Sequence, residues 1–437
     1  MNRRTAKEPI KRPKVLVTGG LGFIGHNVVV KLINDGCDIA IVDTKTDYGI
    51  IPKDELDYIL KERFYGIANR ITQSNSLNIY TVDIINPELD TLFKAEQFDA
   101  VIHLASFPRQ KVVNENPTTG SKAMSEGLLN MLEVSRKNNV KRFTYVSSSM
   151  VYGDFKDNVT EDAVCDPKGA YAIMKYAGEL LVKDYTRQYN LDHTIIRPSA
   201  VYGSLDVDDR VISKFMLSAM QGKNLTVNGK MEKLDFTYVT DVSTGIVQAT
   251  FSDKAKNQTY NLTKSKGVTL YDAAKTIKDI VGKGNIDVKQ KDKNFPSRGA
   301  LSIVKAQKDF GYDPKIDIKE GFQIYYDWLQ NSTYWQEQLN PKPKKQEEII
   351  VTPVARPGIT ILGTITKAKP KVTPKAKPKA KPKVKTKVKT KVTPKVKTKV
   401  TPKVKTKVKT KVTPKVKTKV TPKVKTKVTP KVTLKKK

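Results

Sequence analysis

Cysteine and histidine are scarce in this chain: its 437 residues hold only Cys37, Cys165 and three histidines that stand singly. Two cysteines make no disulfide framework, and neither they nor the histidines show metal-ligand spacing, so no metal site is expected. That scarcity predicts a reducing compartment, the cytoplasm. Long apolar runs are also missing, and none approaches the ~18 residues that cross a bilayer. Residues 1–14 are basic but lead straight into a strand, without the apolar core of a signal peptide. A soluble chain with no transmembrane segment is expected. Acidic residues are nearly absent from one region only. Residues 341–437 carry 34 Lys/Arg against 2 Asp/Glu, so +32 of the +36 net charge sits there and +4 on residues 1–340. The body is close to neutral and is not itself a polyanion-binding surface.

What is present is an alternation of strand and helix. Strand-like runs at about 14–18, 38–43, 78–82, 99–104, 141–148 and 192–198 alternate with helical patterns at about 23–35, 117–138 and 169–189. That order implies a doubly wound parallel sheet of α/β class, covered on both faces. Lys53 to Asn69 reads as a helical insertion of mixed charge. After Gly203 the rhythm changes. Helices near 209–221, 240–251, 269–281, 302–310 and 319–331, with short strands at about 225–227, 234–239 and 259–262, suggest a smaller α/β lobe over the carboxyl ends of the strands. Trp328, Trp335 and Tyr325 read as packing residues. From Lys367 nearly every second residue is lysine, in units such as Lys-Val-Lys-Thr and Lys-Val-Thr-Pro. Recurring prolines block strand pairing and like charges extend the chain, so a disordered tail with polyproline-II character is expected. The division is therefore an N-terminal extension (1–13), a dinucleotide-binding domain (14–203), a mainly substrate-binding lobe (204–340) and a basic repeat tail (341–437).

The first strand runs into Thr18-Gly-Gly-Leu-Gly-Phe-Ile-Gly25. Gly19, Gly22 and Gly25 permit a tight turn, close approach of backbone to a pyrophosphate, and packing of the next helix on the sheet. Phe23 and Ile24 belong to the same turn. A pyrophosphate there meets the free N–H groups of a helix N-terminus. The second strand ends at Asp43, eighteen residues beyond Gly25. A carboxylate there accepts hydrogen bonds from ribose hydroxyls and repels a 2′-phosphate, which favours NAD over NADP.

A second constellation carries chemistry. Ser147, Ser148 and Ser149 lie at the end of the fifth strand, and Tyr171-Ala-Ile-Met-Lys175 follows on a helical pattern. Tyr and Lys at i and i+4 share one helix face. A lysine ammonium beside a phenol, with a positive nicotinamide nearby, is expected to lower the phenol toward neutrality and make it an acid/base at physiological pH. A strand-end serine is placed to hydrogen-bond the same substrate oxygen.

With these residues in place, the chain over roughly 14–335 resembles the extended short-chain dehydrogenase/reductase family, in particular its nucleotide-sugar epimerases and dehydratases. The likeness adds Asp83-Ile84, His103-Leu-Ala-Ser106, Val151-Tyr-Gly153, Arg197-Pro198, Val201-Tyr-Gly203, Asp235-Phe-Thr-Tyr-Val-Thr-Asp241 and Gly311-Tyr-Asp-Pro314 to the motifs above. It implies that Asp83 and Ile84 contact adenine and that Leu104, Ala105 and Ser106 pass the cofactor's phosphates and ribose. It also makes Tyr171 the acid/base and gives Lys175 the nicotinamide ribose. Counting back four from the Tyr of Val-Tyr-Gly places the catalytic hydroxyl at Ser148, with Ser149 the alternative. Arg298 is similar to a late arginine that clamps the nucleotide diphosphate. The family's dimers imply a homodimer, built here from helices 117–138 and 169–189.

The departures narrow the reaction. Where 4,6-dehydratases of the family carry an Asp-Glu pair after the catalytic hydroxyl, this chain has Ser149 and Met150, neither able to move the protons of a dehydration. Ala200, Leu234 and Met124 replace the family's usual Asn, Arg and Asn, and Arg109 and Arg210 are candidate substitutes at the substrate's phosphates. The expected activity is C4 epimerisation of a UDP- or dTDP-linked hexose through a 4-keto intermediate, with NAD regenerated at each turnover. An NAD(P)-dependent reductase of a keto-sugar or other carbonyl is the alternative within the fold. A polyanion-binding protein with a vestigial dinucleotide fold is the alternative from another class. The tail itself resembles lysine-rich linker-histone-like tails and would meet nucleic acid or an anionic polysaccharide without sequence preference.

Overall fold

β1 (Lys14–Thr18) lies at the centre of the sheet: Val15, Leu16 and Val17 have no solvent exposure, as helices cover both faces. In this computed structural model the described residues are 12–72, 75–107, 110–207, 210–292 and 296–340, with the backbone of 359–362. β2 (Asp38–Val42) and β3 (Leu77–Tyr80) extend the sheet from one side of β1. On the other side lie β4 (Ala100–His103), β5 (Arg142–Val146) and β6 (His193–Pro198). All these pairs are parallel. The order reverses between β1 and β4, so their carboxyl ends part and open a crevice there. The doubly wound parallel fold, Rossmann-type, is as the alternation predicted.

Strand Gln258–Leu262 follows residue 203 in sequence but returns to the sheet beside β6. The helix before it, Val239–Phe251, packs on α1 (Phe23–Asn34). Val28, Val29, Leu32 and Ile33 share one core with Val242, Ile246 and Val247. Each such burial contributes about 1.5–3 kcal/mol. A second core is separate and aromatic, with Tyr202, Phe215, Phe236, Phe322, Tyr325 and Trp335 buried and Trp328 packed against them. The packing roles expected of Tyr325, Trp328 and Trp335 are therefore met.

Three elements differ from expectation. The single helix at 117–138 is instead a short helix Pro117–Ser121, a π-helical turn Lys122–Gly127 and a helix Leu128–Lys137. Its glycines allow the wider turn to press against its neighbours: a Cβ on Gly127 would lie 2.5 Å from the Ile84 side chain. The strand expected at 234–239 is broken into Lys233–Asp235 and Thr237–Tyr238, which pair with different partners. Within the expected disordered tail, strand Ile359–Leu362 pairs in parallel with β3. Three of the four residues of Ile-Thr-Ile-Leu are β-branched and none is proline or charged, unlike the lysine repeat after it, and β3 offers an open edge. The rest of 341–437, and the N-terminal extension to residue 11, lie outside the described residues.

Candidate active site

The glycine turn folds as it does because two of its positions exclude a side chain. Gly19 has φ +69°, and a Cβ there would sit 2.9 Å from the Ala105 nitrogen; at Gly25 it would lie 2.0 Å from the Gly19 carbonyl oxygen. The turn is held by Asp43, which accepts from Leu21 N–H at 2.9 Å and Lys45 N–H at 2.7 Å. Burial pushes the Asp43 carboxyl up, and those two hydrogen bonds oppose the rise. At the end of β4, Ala105 N–H donates to Thr18 Oγ1 at 3.2 Å, and Thr18 meets the buried His103 ring at 2.9 Å. Burial, with the Lys175 charge, lowers His103 to about 3, so it stays neutral. Ile84 is fixed from behind by the Gly127 contact and by Asn130, which donates to the Ile84 carbonyl at 2.7 Å.

The helix Ala170–Tyr189 begins at Gly169, whose φ is +83° and which offers no side-chain cap. Asn114 supplies the missing acceptor, its Oδ1 taking the Tyr171 N–H at 3.0 Å. One turn later Lys175 is buried, its Nζ donating to the Val146 carbonyl at 2.9 Å and lying 5.3 Å from the centroid of the Tyr145 ring. Burial lowers Lys175 to about 8, with Glu179 opposing. Of the three serines only Ser148 is not fully buried. Its backbone is extended, and its Oγ accepts from Met150 N–H at 3.2 Å, capping the 3₁₀ turn Ser149–Tyr152. The Ser147 hydroxyl is committed elsewhere, to Glu179 at 2.6 Å.

These groups open onto one cleft of about 1250 Å³. It gathers Gly19, Gly22, Phe23, Ile24, Gly25, Asp43, Asp83, Ile84, Leu104, Ala105, Ser106, Ser148, Ser149, Tyr171, Lys175, Arg210 and Arg298. Every sequence-derived site residue is therefore brought together except Arg109, which lies outside the described residues. One electrostatic expectation is corrected. Burial pushes the Tyr171 phenol up, and the opposing pull comes from the Arg210 guanidinium and a hydrogen bond with Ser148, not from Lys175. The ammonium donates to the Val146 carbonyl at the strand end. Arg298 points a nitrogen at Met150 Sδ, 3.6 Å away, and burial lowers its guanidinium to about 10 against the pull of Glu232. Arg210 is only loosely paired, 3.9 Å from Asp206.

Residues from the insertion were not foreseen at the cleft. α2 (Lys53–Ala68) carries buried Arg63, which donates to the Leu21 carbonyl at 3.0 Å and the Leu205 carbonyl at 2.7 Å. It thus joins the glycine turn to the loop after β6. The outer end of α2 is docked by Tyr58, stacked 4.7 Å from Tyr334 and hydrogen-bonded to Ser332 at 2.7 Å. Mixed charge in the sequence gave no hint of either contact.

Residues 15–263, more than half of the chain, match the model of the NAD dependent epimerase/dehydratase family. The chain belongs to that family. Among curated relatives, a putative UDP-glucose 4-epimerase of Methanocaldococcus jannaschii is 28% identical, over 73% of this chain and 99% of the relative. A UDP-glucuronate 4-epimerase of Thermodesulfobacterium geofontis is 29% identical, over 72% of this chain and 95% of its own length. In fold, the chain is similar to the UDP-glucuronic acid 4-epimerase of Bacillus cereus, solved with UDP-glucuronic acid and NAD, at TM-score 0.66 and 24% identity, covering 72% of this chain and 99% of that one. The cofactor of this epimerase/dehydratase chain is NAD, as the acid at the end of β2 predicted. Among the described residues no helix is long and apolar enough to cross a membrane.

Proposed function

We propose that the protein is a nucleotide-sugar 4-epimerase acting on a UDP- or dTDP-linked hexose. The observation that carries the reading is the convergence of Ser148, Tyr171 and Lys175 on one cleft while Met150 and Ser149 stand where a dehydratase needs acids. Gly19 and Gly25 form a cradle that any Cβ would fill, and Asp43 has a carboxylate at its rim, so the residues present fit a dinucleotide. In this reading Gly22, Phe23, Ile24, Leu104, Ala105 and Ser106 hold its phosphates and ribose, Asp83 and Ile84 its adenine, and Lys175 its nicotinamide ribose. Bound NAD supplies a hydride acceptor that gives the hydride back within the same turnover. Tyr171 Oη takes the proton of the sugar 4-hydroxyl as the 4-keto group forms, and gives it back to that same oxygen when the keto group is reduced from its opposite face. Ser148 shares that oxygen and keeps it within reach of the phenol. Arg298, whose near neighbour is a thioether, has donors to offer a diphosphate, and Arg210 stands at the sugar end beside Tyr171.

The test is to screen UDP- and dTDP-sugars by product NMR with no added reductant, on protein assayed for co-purified NAD. A change of configuration at C4 without net NAD consumption supports the epimerase. Stoichiometric use of added reductant makes the protein a carbonyl reductase instead.

Two proposals concern assembly. Leu129, Ile173, Leu180 and Tyr189 are 40–53% exposed on the adjoining helices Leu128–Lys137 and Ala170–Tyr189. Such an apolar face favours a homodimer. Ile173→Glu with Leu180→Glu should halve the mass seen by light scattering, and an unchanged mass removes this face as the interface. The lysine tail should hold nucleic acid non-specifically through counterion release. Deleting residues 341–437 is expected to leave turnover intact and to abolish salt-sensitive retention on a DNA column. Loss of the folded body, or undiminished retention, refutes that assignment.

A further inference from the structure

Beneath the cleft lies a buried ionic assembly whose two charged members, Glu179 and Arg197, line neither the cleft nor the surface. Glu179 has no exposure and Arg197 is 2% exposed. Glu179 Oε1 accepts from Arg197 Nε at 2.9 Å and from the Ser147 hydroxyl at 2.6 Å, while Oε2 accepts from Arg197 Nη2 at 2.6 Å. Arg197 Nη1 donates to the Tyr152 hydroxyl at 2.8 Å and the Glu161 carbonyl at 3.2 Å. Tyr152 donates in turn to Asn261 at 2.8 Å. Six pieces of the fold meet here: the end of β5, β6, the helix Ala170–Tyr189, the 3₁₀ turn, the loop at Glu161 and the returning strand Gln258–Leu262. Buried ion pairs are poor stabilisers, since taking both charges out of water offsets their attraction, and an apolar pair of equal volume often does as well. The place of this pair points to another use. Ser147 is the neighbour of Ser148, and Glu179 follows Lys175 by one helical turn.

We infer that Glu179 and Arg197 are positioning residues, a buried clamp that sets Ser148 and Lys175 in their working places without touching sugar or cofactor. The inference rests on the catalytic reading of Tyr171 and Lys175 above. The bidentate fork fixes the helix against β6 in both distance and rotation. Through Ser147 the same carboxylate fixes the strand end from which Ser148 projects. Its charge also acts on Lys175. The groups facing that ammonium are Glu179 on its own helix, Tyr145 from β5 and His103 from β4, with Arg197 of β6 beyond Glu179. Tyr145 and His103 are neutral at physiological pH, which leaves Glu179 as the anion among these neighbours. Burial already lowers Lys175 to about 8. Neutralising Glu179 lowers it further, so the ammonium is lost at lower pH.

The experiment compares Glu179→Gln, Glu179→Asp and the doubly neutral Glu179→Gln/Arg197→Gln with the full-length wild type. Leaving Arg197 alone in the interior is strongly destabilising, so the double variant keeps the test available if the single one does not fold. The readouts are kcat and KM against pH, and NAD affinity by calorimetry from pH 6.5 to 9.5. Glu179→Gln is expected to lose at least tenfold in kcat at pH 7.5, with KM for the sugar changed less than threefold. The alkaline loss of NAD affinity should start about one pH unit earlier in both Gln variants and be largely restored in Glu179→Asp. A folded Gln variant with the wild-type kcat and the wild-type pH dependence of NAD binding overturns the inference. If that happens where Tyr171→Phe is inactive, the functional reading survives alone. If the wild type binds NAD but turns over no nucleotide sugar, the functional reading falls, and the NAD titrations still decide the clamp.

Discussion

Tyr171→Phe should lower nucleotide-sugar turnover by about 10²–10⁴-fold, the usual range for loss of a general acid/base, while the protein keeps its fold and its NAD. The ring packs against the small cluster of Phe107, Val113 and Met124, and phenylalanine preserves that packing. Only the hydroxyl disappears, with its hydrogen bond to Ser148 and its attraction to Arg210. Those two interactions are what oppose the upward push of burial on the phenol. NAD content after purification should match the wild type, because in this assignment the ribose is held by Lys175. Turnover by product NMR and NAD by absorbance of the denatured supernatant check the two halves. A variant that keeps more than a tenth of wild-type turnover removes Tyr171 from proton transfer.

Mild acid should destabilise the protein well before its carboxylates titrate. All three histidines are buried: burial lowers His26 and His103 to about 3, and His193 to about 4. In the unfolded chain they ionise near pH 6.5. The unfolded state therefore binds more protons than the folded one between about pH 6.5 and 3–4, and stability falls as pH falls through that window. At pH 5 each histidine that must stay neutral costs about 2 kcal/mol, together a large part of a typical ~5–15 kcal/mol stability. Asp43 and Asp235, both pushed up by burial, take protons in the folded state and offset some of this at the acid end. Melting temperature should drop by about 10 °C between pH 7.5 and 5. His193 lies away from the cleft, bonded to Thr186 at 2.6 Å, so His193→Gln should remove about a third of the drop without altering turnover. A melting temperature flat from pH 7.5 to 5 contradicts these buried neutral states.

The parts legible in the sequence are those written in short spacings. The glycine turn, Asp43, the serine run and Tyr171 with Lys175 each lie within a few residues of a strand end or on one helix face, where periodicity suffices. The supporting contacts are not local. Asn114 caps a helix 57 positions away, and Tyr152 reaches Asn261 across 109. Such partners are chosen by strand order, which no window along the chain contains. Glu179 was the nearest to being readable, since it prolongs the Tyr171–Lys175 stripe by one turn. The π-helical turn was hidden because its residues still follow a helical apolar pattern. The partners of the Lys175 ammonium are hidden for a related reason: helical spacing places it on the Tyr171 face, while the Val146 carbonyl and Tyr145 ring that receive it are set by β5.

Arg63 has a thermodynamic consequence. One guanidinium ties the dinucleotide turn to the loop at Leu205. The two walls cannot separate without breaking one of its charged hydrogen bonds. In the proposed placement, release of the dinucleotide is linked to opening of that contact, whereas a sugar exchanging at the other end leaves the strut intact. For the proposed epimerase, which must take back the same hydride, that asymmetry keeps the redox partner resident while substrates come and go.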